Sequence, residues 1–120
     1  MDVPISVPMV RALYADAGSS HDFDHVLRVT ALAERIARAE GADLAIVRTA
    51  ALLHDIAESV DRANHHLASA ARARALLADQ PAAFVEAVAH VIESYRFRAG
   101  PAPATLEAQV VFDADKLDIT

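Results

Sequence analysis

The sequence predicts an all-α fold, a compact helical bundle of five to six helices in a single domain spanning residues 1–120. Two observations carry that prediction. Apolar residues recur at spacings of three and four along the chain, and the one strand-like run, QVVF, is too short to build a sheet. Glycine and proline are scarce, 3 and 5 in 120 residues, which suits long helices joined by few turns.

Each helix has its own signals. PMVRALYADAG (8–18) has Pro8 near its start and Gly18 after its end. SSHDFDHVLRVTALAERIARAEG (19–41) is the clearest amphipathic run, capped by Ser19 or Ser20 and stopped by Gly41. Asp43 then caps LAIVRTAALLHDIAES (44–59). RANHHLASAARARALLADQP (62–81) and PAAFVEAVAHVIESYRFRAG (81–100) give a fourth and a fifth helix. GPAPA (100–104) is a loop, and TLEAQVVFDADKLDIT (105–120) is a sixth helix. That helix runs to Thr120 without a stop signal, so the natural chain is expected either to end there or to continue. No internal repeat or low-complexity linker divides the chain.

Composition narrows the chemistry. Hydrophobic residues make up 54% of the chain, but many are alanines that bury little area each, so the core is thin for its size. The net charge of −6, with no basic block, argues against binding to polymeric nucleic acid or to an anionic membrane surface. Lys116 is the sole lysine. An Asp stands where a signal peptide would carry positive charge, and no apolar run approaches membrane-spanning length, so a soluble cytoplasmic protein is expected. Cysteine is absent, which leaves imidazole and carboxylate as the credible metal ligands.

Six histidines are many for this length, and their positions matter more than their number. On the second helix His25 lies in a stripe with Val29, Leu32 and Ile36, where a core leucine would be expected, and His21 lies one turn earlier. On the third helix His54 and Asp55 flank the apolar line of Leu53 and Ile56, with Glu58 in reach of both. On the sixth, Asp115 shares a face with Val111, Phe112 and Ile119, while Asp113 and Lys116 lie nearer the other side and can pair with each other. Taken singly these have ordinary explanations: a hydrogen-bonded core histidine, a helix-start His21, a solvated acidic face. Together, His25, His54, Asp55 and Asp115 send four ionisable groups inward from three helices, a burial costing several kcal/mol unless charge is compensated. A divalent cation does so, and an N2O2 donor set suits Mn, Fe, Co, Ni, Zn or Mg with positions left for water.

SHDFDHVLRV, AALLHDIAES and VVFDADKLD, taken in order, resemble the HD-domain superfamily of metal-dependent phosphohydrolases, and more closely the small bacterial HD hydrolases that include nucleotide pyrophosphohydrolases. The resemblance covers residues 19–118. It implies a helical bundle with one metal ion held by His25, His54, Asp55 and Asp115. It also implies hydrolysis of a phosphoester or phosphoanhydride of a nucleotide or other small phosphorylated metabolite by a metal-activated water. Glu58 matches the HD-x-x-E pattern, whose carboxylate orients that water or shuttles its proton, alongside Asp55. His66, or His65, falls in HHLASA, which resembles a His-x-x-Ser-Ala segment that lines the pocket. Arg28 and Lys116 are the cations expected for substrate phosphate, the ordinary alternative being a surface ion pair. His21 is placed in support of the metal group.

Two departures stand out. The small HD hydrolases often carry VIxxHSF near the end of the fifth helix, where this chain reads VIESYRF. Tyr95 therefore stands in the place of that histidine and is expected to face the pocket, while His90 is expected to be solvated. Relatives also continue past DADKLD with helices that help close the pocket, so a chain ending at Thr120 would leave it open or complete it with a partner, as in a homo-oligomer. Other HD proteins are di-iron oxygenases or hydratases, whose second iron would draw on His65, His66 or His90. Others again are non-catalytic binding modules, which have no reason to bury four ionisable groups.

Overall fold

The computed structural model describes residues 4–16, 23–57, 64–95 and 102–118. Among them are six α-helices and no strand: α1 (Val7–Asp16), α2 (Phe23–Glu40), α3 (Leu44–Leu53), α4 (His65–Leu76), α5 (Ala82–Ser94) and α6 (Leu106–Leu117). The all-α expectation holds.

α3 is the central element and packs against α1, α2, α4, α5 and α6. Its sequence LAIVRTAALL is apolar nearly all round, as a helix enclosed by neighbours requires. Alanines let those neighbours come close. Ala33 and Ala37 of α2, Ala50 and Ala51 of α3, Ala89 of α5 and Ala114 of α6 are all fully buried. Larger side chains, among them Tyr14, Phe23, Leu52, Leu53 and Ile92, fill the remaining space.

The capping signals act where the sequence places them. Gly41 adopts φ 78° and its N–H donates to Ala37 O at 2.8 Å, ending α2 in the left-handed conformation that glycine tolerates. The Asp43 side chain accepts from Ala45 N and Ile46 N at 3.0 and 3.3 Å, opening α3. Thr105 does the same for α6, accepting from Ala108 N at 3.1 Å. Ser19, Ser20 and Gly18 lie outside the described residues.

Three expectations need correction. The helix expected over 44–59 stops at Leu53, and residues 54–57 form a turn with Ile56 N–H donating to Leu53 O at 3.2 Å. The buried stripe of α2 is Phe23, Val26, Val29, Thr30, Ala33 and Ala37, so His25, Leu32 and Ile36 sit at its edge rather than along its centre. The buried face of α2 includes the small Ala33 and Ala37, while the larger Leu32 and Ile36 are only partly buried. The Asp113–Lys116 pair is not formed: Asp113 accepts from Gln109 Nε2 at 3.3 Å, and the Lys116 ammonium lies 4.9 Å over the Phe112 ring.

Candidate metal centre

The HD pair occupies the first two positions of the 54–57 turn, at the C-terminal end of the most buried helix. Three side chains from other helices hold this turn. The Tyr14 hydroxyl of α1 donates to Leu52 O at 2.9 Å and accepts from Asp55 N at 3.2 Å. The Ser69 hydroxyl of α4 accepts from Ala57 N at 3.0 Å. The Tyr95 hydroxyl, at the end of α5, donates to Asp55 Oδ1 at 2.7 Å, while its ring packs edge-on to His54 with centroids 4.9 Å apart. Backbone groups left over where α3 stops are thus satisfied by side chains.

His54 has no exposed surface. Its Nδ1–H donates to Ala51 O at 2.6 Å, so the neutral ring carries its lone pair on Nε2. Among the described residues Nε2 has no hydrogen-bond partner. It faces Asp55 Oδ2 and Asp115 Oδ1, each at 3.5 Å. His25 approaches from α2, its Nε2 3.2 Å from Asp115 Oδ1 and 3.8 Å from Asp55 Oδ2. His25, His54 and Asp115 each offer a ligand atom, all within 4.8 Å of one another. Three of the four residues expected from sequence are thus brought together, and Asp55 Oδ2 lies 3.5 Å from His54 Nε2 and 3.8 Å from His25 Nε2.

The electrostatics fit a cation. Burial presses His54 toward its neutral form, but Asp55 and Asp115 outweigh it and raise its pKa to about 9. His25 is raised by its hydrogen bond to Asp115, against burial and the like charge of His54, with Asp118 adding to the rise. Burial resists ionisation of Asp55, yet His54, then His65 and Tyr95, hold it well below the usual carboxylate range. Asp115 is lowered in the same way, its burial overcome by His25 and His54. Two carboxylates, Asp55 buried and Asp115 partly so, thus draw positive charge onto two imidazoles. A divalent ion accepted by the two Nε2 lone pairs and the two carboxylates would supply that charge, and the donor set present fits one.

The other expected residues fall into distinct places. His65 Nε2 lies 3.3 Å from Asp55 Oδ1 and so reaches the group. His66 is fully buried, its ring centroid 6.5 Å from that of His65. Tyr95 faces inward as expected. His90, expected to be solvated, is half-buried and accepts from Ala104 N at 3.0 Å, pinning the connection into α6. Arg28 places Nε 3.0 and 3.2 Å from the two carboxylate oxygens of Asp118. Lys116 is exposed. His21 and Glu58 lie outside the described residues. Sequence reading missed Tyr14, which looks like one more apolar residue of α1, and Ser69. It also missed Asp118, whose signal was its place three residues after Asp115, just past the last residue of α6.

Fold and site together define a helical domain built around a candidate divalent-cation centre. The model of the HD domain family matches residues 22–120, and the chain belongs to that family. It is 34% identical over 119 residues to the uncharacterized protein YpgQ of Bacillus subtilis, covering 91% of this chain and 56% of that one. This chain thus spans little more than half the length of that curated relative. Its fold is similar to the crystal structure of a predicted HD superfamily hydrolase from an uncultured Thermotogales bacterium. The TM-score is 0.78 and the identity 30%, over 93% of this chain and 67% of that one. Among the described residues no helix is long and apolar enough to cross a membrane.

Proposed function

We propose that this domain is a metal-dependent phosphohydrolase that cleaves a phosphoester or phosphoanhydride of a nucleotide or another small phosphorylated metabolite. The observation that carries the reading is the buried Nε2 of His54, facing two carboxylates that can only accept. In this reading His25, His54, Asp55 and Asp115 hold one divalent ion. Such an ion, when bound, neutralises phosphoryl oxygens and makes water acidic enough to attack near neutral pH.

The chain's own residues divide the remaining work. Asp55 turns Oδ2 toward the imidazoles and gives Oδ1 to Tyr95 and His65, so its orientation is held from both sides. Tyr95 and His65, which both meet Asp55 Oδ1, are assigned with His66 to the pocket that would receive a substrate's phosphate. Glu58, four residues after His54, is assigned the water's proton on the strength of the HD-x-x-E pattern. Lys116 is the cation assigned to substrate charge outside the group. The kinship with a predicted hydrolase supports the reaction class.

The test is 31P NMR of nucleoside mono-, di- and triphosphates incubated with the protein and Mn, Co or Mg. Phosphate or pyrophosphate release is expected from the native chain and not from Asp55→Ala. Glu58→Gln is expected to keep its metal while turning over roughly 10²–10⁴-fold more slowly. No release from any substrate by metal-loaded protein would overturn the reading.

A further inference from the structure

The His25 ring is gripped on both edges by one helix end. Asp115 approaches Nε2, and Asp118, three residues on, accepts from Nδ1–H through Oδ2 at 2.6 Å. That distance is at the short end for a charge-assisted hydrogen bond. The Asp118 side chain is only 6% exposed, and Arg28, three residues after His25 on α2, backs it with Nε against both oxygens. Residues 90 and 93 positions apart in the chain thus form one line running Arg28, Asp118, His25 and then the candidate metal position.

We propose that Asp118 and Arg28 are positioning residues: Asp118 keeps the His25 proton on Nδ1 so that Nε2 presents its lone pair to the metal, and Arg28 holds the Asp118 carboxylate in place. The proposal rests on the reading of His25 as a metal ligand. It gives Arg28, expected from sequence to meet substrate phosphate, a task inside the protein. A neutral imidazole with a free choice of tautomer would spend part of its time with a proton on Nε2, where the cation must sit. A carboxylate on Nδ1 removes that choice and makes Nε2 a better donor. A pair that only fastened α2 to α6 would change melting temperature and leave metal affinity alone.

The two roles separate in Asp118→Asn, whose amide can turn an N–H toward Nδ1 and drive the ring proton to Nε2. Binding of Mn2+ alone is followed by the EPR signal of the free ion. In the metal-free protein, the His25 Nδ1–H is followed as a far-downfield proton resonance, assigned by its loss in His25→Ala. Asp118→Asn is expected to weaken Mn2+ binding by about 10–100-fold and to lose that resonance. Arg28→Gln, at a half-exposed position, is expected to weaken binding in the same direction and by less. It decides the matter if Asp118→Asn does not fold. Unchanged Mn2+ affinity in a folded Asp118→Asn, or in Arg28→Gln should the first variant not fold, overturns the proposal. Failure of the underlying reading looks different: the native protein binds no Mn2+, or binds it equally well after His25→Ala. The assigned purpose then falls, even where the resonance confirms the clamp.

Discussion

His54 is fully buried, yet in the metal-free protein its pKa is raised to about 9, because burial is outweighed by Asp55 and Asp115. Its ordinary value is 6.5. A group whose folded pKa is raised contributes stability that is complete below its unfolded pKa and disappears as pH climbs through the folded one. The metal-free protein should therefore lose stability as pH rises from about 6.5 to about 9. Asp55 and Asp115 are lowered, so their contribution is present above the ordinary carboxylate range and is lost on acidification. Metal binding runs the other way from His54 protonation, since the ion must displace that proton. Calorimetric titration with Mn2+ should give an apparent affinity that rises with pH up to about 9, and thermal melting of the metal-free protein should fall across the same interval. A pH-independent affinity would remove His54 from the ligand set.

The decisive element is the turn at 54–57, which ends α3 one residue before the HD pair. Tyr14, from α1, replaces helical hydrogen bonds there by taking Leu52 O and Asp55 N together. Tyr14→Phe keeps the ring packing against Phe23 but leaves two buried backbone groups without this partner, so a loss of about 1–3 kcal/mol is expected in denaturant unfolding. An unchanged midpoint would show that the turn holds itself. This element also marks where sequence reading reached its limit. That His54 and Asp55 follow the greasiest helix was legible from ALLHDIAES, and Gly41 and Asp43 announced the break before it. That the helix would stop at Leu53 was not, because the groups that stop it, Tyr14 and Ser69, are 38 and 12 residues away in the pairs they form. Likewise His25 looked like a core position because a stripe of Val29, Leu32 and Ile36 is legitimate on a helical wheel. Only the packing of α2 within the fold chooses the face of Ala33 and Ala37 instead. Asp118 read as one more acid in DADKLD until the fold brought His25 beside it.

At the scale of the whole molecule, the site depends on long-range assembly. α2 brings His25, the end of α3 brings His54 and Asp55, α6 brings Asp115, and α1, α4 and α5 fix the turn between them. All six helices contribute to one point, which explains why a thin, alanine-rich core is compatible with four converging ionisable groups: a bound cation would cross-link three of the helices. A single centre of this kind fixes the metal stoichiometry. Elemental analysis of the purified chain, after loading with a divalent metal and desalting, should find one ion per chain in the native protein and none in a helical His54→Ala variant. Equal metal content in the two, or none in either, would contradict it.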